Sequence, residues 1–269
     1  MNFISKPHLL SIFCLALLAA RPSFAGDSTG FGSLIVDDVK YEATAPSRWD
    51  AQDMKDIGWA AAAVVGTSIV ADTAVRDFMR RQTPDNAFLN NVQNFGQTWA
   101  VGVVGGFYVA GLVADNEKSV QVAEDLISAS LISATINQTI KITVNRYRPR
   151  DDQGTVNLQG YQGLNNNSSF PSGHTTEAFT LASVIATSYE DNPWVTYTAY
   201  SVAGMVGVAR MYLDAHWASD VVASAFIGTW VGKGIVSHNK SLHKSGKNNV
   251  AILPDVAPGY TGMRIVGQF

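Results

Sequence analysis

The chain has 269 residues, and its single cysteine, Cys14, excludes disulfides, thiolate metal sites and a cysteine nucleophile from all the other residues. Its 19 basic and 22 acidic residues give a formal net charge of −3, and this acidic balance disfavours a general nucleic-acid-binding function. A site for an anion would therefore have to gather its positive charge locally. The length suffices for one large domain.

Residues 1–25 have the pattern of a secretory signal peptide. Lys6 precedes an apolar run at residues 9–20, and the small residues Ser23 and Ala25 precede Gly26. We therefore expect an exported protein of the periplasm or cell envelope. An uncleaved membrane anchor is the alternative.

The next residues, 26–49, are predicted to be an irregular segment that contains a short strand, because apolar and polar residues alternate at 33–41. Residues 50–237 are predicted to form a helical domain, since their apolar residues recur in long runs bounded by proline, asparagine and aspartate. This pattern predicts six helices, at about 50–81, 86–114, 120–147, 171–190, 194–213 and 216–236.

Two further segments complete the chain. Residues 150–170 form a long loop rich in aspartate, glycine and asparagine, and loops of this length are often functional. Residues 238–269 are predicted to be a polar linker followed by a β-hairpin, because two alternating runs flank Ala257-Pro258-Gly259. The predicted fold class is thus all-α, with a small C-terminal hairpin that packs on the bundle or on residues 33–41.

The helices are poor candidates for membrane spans. The best apolar runs, 59–71 and 99–114, are shorter than the 20 or so residues that a span needs, and the mean hydropathy is only +0.06. A bundle packed against itself, in solution or resting on a membrane, fits these runs better than an integral bundle, which is the alternative.

Positive charge is concentrated near the end of the third predicted helix. Lys141 and Arg148 are seven residues apart, which on one helix places both on one face, roughly 10 Å apart along the axis. Both could then bind one anion. The alternative is a solvated basic helix end, which the helix dipole favours in any case.

A second motif is Pro171-Ser172-Gly173-His174, which is typical of a helix start. Backbone N–H groups at such a start bind phosphate oxygens, and His174 could give or take a proton in the same space. The alternative is a plain capped helix with an incidental histidine.

The third motif contains Arg210, His216 and Asp220. If a helix begins near His216, Asp220 lies one turn further on the same face and can hold one ring nitrogen while the other attacks a substrate. A metal pair or a buried structural pair is the alternative. A metal site would need further ligands, and His174 is the one other histidine outside the signal and the tail.

Together, Lys141-x6-Arg148-Pro149, Pro171-Ser172-Gly173-His174 and Arg210-x5-His216-x3-Asp220 resemble the three-part signature of the type 2 phosphatidic acid phosphatase and vanadium haloperoxidase superfamily. The resemblance spans residues 141–220. The sequence departs from the signature at Ala209, where the family usually has serine, and a supporting or phosphate hydrogen bond is in doubt there.

This resemblance implies a helical bundle with the active site between helices. It implies a phosphate cradle of Lys141, Arg148, Ser172, Gly173 and Arg210, a nucleophile His216 oriented by Asp220, and a proton donor, His174. It implies no metal and no cofactor, with vanadate as an inhibitor.

Three functions remain open at this point. The first is a phosphatase for lipid phosphates or diphosphates, such as phosphatidate, an isoprenyl diphosphate or lipid A, with membrane association left open. The second is a soluble acid phosphatase of broad specificity. The tryptophan that follows His216, Trp217, is similar to the residue at this position in that branch of the superfamily. The third is a vanadate-dependent haloperoxidase, although such chains are usually longer. A structural helical bundle would not explain the spacing of the polar residues.

Overall fold

A computed structural model of the chain describes residues 31–82, 86–163, 168–245, 250–257 and 260–267. The predicted signal peptide lies outside these residues and stays a prediction. The described part of the chain contains nine α-helices: α1 Phe31–Ala43, α2 Ala51–Val70, α3 Asp72–Arg80, α4 Ala87–Val92, α5 Thr98–Val113, α6 Glu117–Val144, α7 Gly173–Ser188, α8 Pro193–Tyr212 and α9 Ala218–Ser245. Short 3₁₀ turns lie at Ala45–Ser47, Gln93–Gly96 and Pro149–Asp151.

The predicted helical bundle is confirmed, and α7 lies at its centre, against α6, α8 and α9. Leu126, Val184 and Ile235, from α6, α7 and α9, are fully buried in the main core. The helix α9 approaches α7 closely through two glycines. A Cβ on Gly228 would lie 2.4 Å from the carbonyl oxygen of Thr176, and one on Gly232 would lie 2.8 Å from Cβ of Ser183.

The predicted irregular segment with a strand at 33–41 is wrong, since these residues form α1. Leu34 and Asp38 are buried one turn apart, and Tyr41 is half-buried on the same face. This spacing is typical of one face of a helix. The same residues also alternate between apolar and polar, so the sequence contains both patterns. Asp38 accepts a hydrogen bond from Ser128 of α6 at 2.5 Å, so packing on the bundle decides between the two patterns.

Two predicted helices are each divided. The helix predicted at 50–81 breaks at Ala71, and the break turns Asp72 into the interior, where its side chain is buried. The helix predicted at 86–114 breaks around Gly96 and Gln97. A Cβ on Gly96 would lie 2.1 Å from the carbonyl oxygen of His174, so this break lets the chain lie directly against the start of α7.

The third predicted helix ends earlier than Pro149 would require. Asn145 adopts a left-handed conformation, with φ 47°, and ends α6 at Val144. Arg148 therefore lies in extended backbone beyond the helix, with φ −75° and ψ 156°. The predicted placement of Lys141 and Arg148 on one helical face is wrong.

The helix α9 continues to Ser245, so the linker predicted from residue 238 is also wrong. The polar side chains that suggested a linker have partners in the bundle: Asn239 donates to Asp125 at 2.7 Å, and Lys240 donates to Glu190 at 2.9 Å. Beyond it, strands Val250–Ala257 (β1) and Tyr260–Gly267 (β2) pair antiparallel, with Val250 opposite Gly267. The predicted turn at 258–259 lies outside the described residues, and the packing of this pair on the helices stays a prediction.

In the described ranges, no single helix is both long and apolar enough to cross a membrane. Two bent pairs meet the length and composition requirements together. They are Ala51–Val70 with Asp72–Arg80, bent by 54°, and Ala87–Gly96 with Thr98–Val113, bent by 56°.

Candidate active site

A buried ion-pair network lies beneath the predicted site residues. The guanidinium of Arg146 contacts Asp72 and Asp220, each at 2.6 Å, and all three side chains are at most 4% exposed. Ser219 bonds to the same groups, receiving from Arg146 at 2.8 Å and donating its hydroxyl to Asp72 at 2.7 Å. This network ties α3, the start of α9 and the chain after α6 together.

The sequence prediction for Asp220 changes with this geometry. Asp220 accepts hydrogen bonds from Arg146 and from the backbone N–H of Trp217 at 2.8 Å, while Nδ1 of His216 lies 3.6 Å from its nearer oxygen. That separation is too long for a hydrogen bond. The helix α9 begins at Ala218, so His216 precedes it rather than starting it.

The imidazole of His216 is oriented instead by the carbonyl oxygen of Ser169, which is 2.7 Å from Nδ1. A carbonyl oxygen can only accept, so the neutral ring carries its proton on Nδ1 and keeps its lone pair on Nε2. Burial lowers the pKa of His216 well below its usual value, and the positive charge of Lys141 lowers it further. The ring is therefore neutral at pH 7.

Two of the predicted cradle cations converge, although not from one helix face. Lys141 donates to the carbonyl oxygen of Ser168 at 2.8 Å, and Arg148 donates to the same oxygen at 3.3 Å. Arg148 also donates to the carbonyl oxygen of Ala215, next to His216, at 3.0 Å. The loop before α7 thus brings the ends of α6 and α8 together.

Burial and mutual repulsion change the acidity of these cations. Burial, together with the charge of Arg148, lowers the pKa of Lys141 to about 7. Burial likewise lowers the pKa of Arg210 to about 10, with a contribution from Arg148. A dense positive field of this kind is stabilised by an anion.

The break between α4 and α5 places two glutamines over the same region. Gln97 lies 3.1 Å from Nε2 of His174, and Gln93 accepts a hydrogen bond from Arg210. Burial, followed by the charges of Arg210, Arg148 and Lys141, lowers the pKa of His174 to about 3. His174 is thus neutral in the free protein.

The motif at residues 171–174 forms the predicted helix start. Ser172 is the N-cap of α7, and its hydroxyl accepts a hydrogen bond from the Thr175 hydroxyl at 2.9 Å. The backbone N–H of Ser172, predicted to bind phosphate, donates instead to Ser224 at 2.7 Å. Gly173 borders a groove of about 210 Å³ between α6 and α7, which Lys141 and Glu177 also line.

Sequence reasoning missed several of the residues that hold the site in place, among them Arg146, Asp72, Ser169 and Ser224, whose hydroxyl donates to the carbonyl oxygen of Asp220 at 2.7 Å. The sequence offers one signal for Arg146, because it lies two residues before the predicted cradle residue Arg148. Nothing in the sequence points to Asp72, which is 74 residues before its partner. Ser169 acts through its backbone carbonyl, which any residue type supplies.

The described residues include no group of three or more histidine, cysteine or acidic side chains that could hold a metal ion.

Comparison with known proteins adds a family assignment. Residues 124–241 match the family model of the PAP2 superfamily. This segment belongs to the PAP2 superfamily. The resemblance predicted from the three motifs is thereby confirmed, and all eight predicted site residues lie within the PAP2 segment.

Two individual proteins are similar to the chain. A lipid A 1-phosphatase of Porphyromonas gingivalis is 41% identical over 66 residues, which are 24% of this chain and 15% of that protein. The chain therefore matches only a small part of this relative's length. A transmembrane PAP2-type phosphatidylglycerolphosphate phosphatase from Bacillus subtilis aligns with 79% of this chain and 96% of its own, with a TM-score of 0.40 and 17% identity.

Proposed function

We propose that this protein is a phosphatase that hydrolyses phosphomonoesters or diphosphates of lipids through a phosphohistidine on His216. The observation that carries the proposal is the hydrogen bond from Nδ1 of His216 to the carbonyl of Ser169. It leaves Nε2 with its lone pair in a region where Lys141, Arg148 and Arg210 lower the pKa of the ring. A neutral imidazole in a cationic pocket is a nucleophile suited to phosphorus.

The cradle of the proposal consists of Lys141, Arg148 and Arg210, together with the start of α7 at Gly173. Three positive charges and a helix N-terminus stabilise the equatorial oxygens as charge develops in the transition state. The Ser172 hydroxyl remains a candidate contact for the substrate phosphate, whereas the Ser172 backbone N–H donates a hydrogen bond to Ser224.

In the first step, Nε2 of His216 forms a bond to phosphorus while the bond from phosphorus to the alcohol oxygen breaks. The leaving oxygen takes a proton from His174. Because His174 is neutral in the free protein, that proton arrives with the substrate. A phosphate bound among the cations offsets their field and raises the pKa of His174 in the complex.

In the second step, His174 accepts a proton from water as the water oxygen attacks phosphorus. The bond to Nε2 breaks, inorganic phosphate leaves with the proton that His174 accepted from water, and both histidines return to their neutral starting states. Arg146 and Asp220 take no part in proton transfer. They fix the loop that carries His216, because Asp220 receives the backbone N–H of Trp217.

Two observations support a lipid substrate. A 66-residue segment of the chain is 41% identical to part of a lipid A 1-phosphatase. In addition, large apolar side chains are exposed on α2 and α5, with Trp59, Ile69 and Val113 at 75%, 78% and 83% exposure. Such surfaces favour contact with a membrane, where a lipid substrate would be found.

Phosphate release from four substrates tests the proposal: phosphatidate, an isoprenyl diphosphate, a lipid A fraction and a soluble aryl phosphate. We expect turnover of at least one lipid, inhibition by vanadate as a mimic of five-coordinate phosphorus, and full activity in EDTA. Loss of activity in EDTA that a divalent ion restores would contradict the mechanism. A strong preference for the aryl phosphate would favour the broad acid phosphatase, and vanadate-dependent bromide oxidation would favour the haloperoxidase.

A further inference from the structure

A second cavity lies at the far end of the bundle from His216. Its volume is about 300 Å³, and it lies between the start of α6, the end of α7 and the end of α9. Asp125, in its lining, precedes Lys141 on α6 by 16 residues, which corresponds to about 24 Å along the helix. The proposed phosphatase chemistry uses no residue of this cavity.

Two buried carboxylates lack an ion-pair partner among the described residues: Asp125, which lines the cavity, and Asp38, which contacts the lining residue Asn239. Asp38 is fully buried and Asp125 is 8% exposed, and they accept hydrogen bonds from Ser128 and Asn239, respectively. No lysine or arginine in the described parts of the chain forms an ion pair with either. Lys240, whose charge opposes the rise in the pKa of Asp125, donates to Glu190 and to the carbonyl of Thr187. Buried carboxylates without a cation are costly and infrequent.

Two polar atoms of the lining residues also lack hydrogen-bond partners. They are Oγ of Ser188 and Oδ1 of Asn239, in side chains that are 7% and 3% exposed. The amide orientation of Asn239 is fixed, because its nitrogen donates to Asp125 at 2.7 Å and lies 3.4 Å from Asp38. A rotated amide would direct its oxygen at two carboxylates. Buried acceptors without a donor indicate a missing partner.

The walls of the cavity limit what that partner can be. Val122 and Val236 contribute apolar surface next to the acceptors. Three basic side chains, Lys118, Lys240 and His243, also belong to the lining; the ammonium of Lys118 lies over the ring of Tyr189 at 4.4 Å and that of Lys240 is held by Glu190. The interior therefore offers a carboxylate, an amide oxygen and a hydroxyl beside aliphatic surface. These groups match the three N–H donors of a primary ammonium group on a short alkyl chain.

We propose that this cavity is a binding site for a primary alkylammonium ligand, whose ammonium group is held by Asp125, Asn239 and Ser188. The volume is at the lower end of the range for small-molecule sites, which suits a short diamine or amino alcohol. A divalent cation is less suited, since the described residues offer no group of three or more acidic or histidine ligands and the valines would remain uncovered.

Isothermal titration of 1,4-diaminobutane into the purified full chain tests the site, at pH 8 and constant ionic strength. We expect saturable binding, with 1-butanol showing none. Asp125→Asn should weaken binding at least tenfold, because it removes the charge while keeping an acceptor for Asn239. Ser188→Ala should weaken it severalfold without affecting folding, since its hydroxyl has no partner to lose.

The matched control is Asp191→Asn, which removes an exposed carboxylate at the rim of the same cavity. We expect its affinity to change less than threefold. Equal affinity of the wild type and Asp125→Asn would overturn the proposal, as would binding of 1-butanol, or tight binding of Mg²⁺ or Ca²⁺ that diaminobutane cannot displace. These titrations require no turnover, so their result is independent of the phosphatase assay.

Discussion

The bundle buries acidic side chains at both ends, but it balances their charge at only one. Near His216, Arg146 lies between Asp72 and Asp220 with two contacts of 2.6 Å. At the far end, Asp38 and Asp125 share the amide of Asn239. Burial is the largest cause of a raised pKa at Asp125, which reaches about 7, and at Asp38, which reaches about 6.

This difference shows two ways of keeping a carboxylate inside a helical bundle. At the site end, burial raises the pKa of Asp220, and the fixed guanidinium of Arg146 opposes this rise and pairs with the carboxylate. At the far end, the carboxyl groups take up a proton or a cation from solution. The ion pairs of Arg146 fix the geometry of the loop that carries His216. The charge of Asp38 and Asp125, in contrast, can change with the pH or with a bound cation.

The largest effect should follow removal of the guanidinium. Arg146→Ala leaves Asp72 and Asp220 buried without a cation, and we expect a loss of about 3–5 kcal/mol in the free energy of unfolding. Denaturant unfolding measures this loss. The control is Arg80→Ala, whose ion pairs with Asp152 and Asp214 are partly exposed and should contribute about 1 kcal/mol or less. Similar losses in the two variants would contradict the assigned importance of the buried network.

At the far end of the bundle, we expect a substitution to increase the free energy of unfolding, because it removes a buried carboxylate that has no cation. The folded pKa of Asp125 is raised above its unfolded value, so the wild type loses stability as the pH rises from about 4 to about 7. Asp125→Asn does not titrate, and in the absence of amines it should be more stable than the wild type by on the order of 2 kcal/mol at pH 8. The gain should disappear by pH 4. Thermal unfolding at several pH values measures it, and a pH-independent difference would refute the assignment.

A smaller effect concerns Lys141, a buried cation whose pKa is lowered to about 7. Its charge is present below this pH and is lost above it, so inorganic phosphate should bind about tenfold more weakly at pH 8 than at pH 6 for this reason. Lys141→Arg keeps its charge over this range. Because phosphate itself titrates identically with both proteins, the ratio of the two affinities isolates Lys141. A ratio that does not change with pH would show that Lys141 stays protonated.

The sequence predicted the helices with long apolar runs and all three motifs, because periodicity and helix-start residues are local signals. It could not predict the break at Gly96, where a contact with the backbone of His174 from another helix decides the conformation. The sequence could not predict α1 either. Its residues alternate as in a strand, but the buried contact of Asp38 with Ser128 of α6 favours the helix. Asn145 is an intermediate case, since asparagine favours the left-handed helix end but Pro149 was the stronger signal.

Two predictions about the site rested on the wrong geometry, since Lys141 and Arg148 do not share a helix face and Asp220 is not hydrogen-bonded to His216. Lys141 and Arg148 do converge, on the carbonyl of Ser168, but through a turn rather than along one helix. The partner of His216 was missed because a backbone carbonyl leaves no trace in side-chain chemistry. Asp72 was missed because its partner Arg146 is remote in sequence. Long-range pairing of this kind requires the fold.

The most direct test of the central proposal is to trap the phosphoenzyme. We would mix the wild type, and His174→Ala, with a turned-over substrate labelled in its phosphate, quench in alkali and map the label by mass spectrometry. We predict phosphate on Nε2 of His216 and none in a folded His216→Ala protein that lacks turnover. With an aryl phosphate whose leaving group needs no proton from His174, the His174→Ala protein should carry more label, because water activation is impaired. Label on any other residue, or turnover retained in His216→Ala, would contradict it.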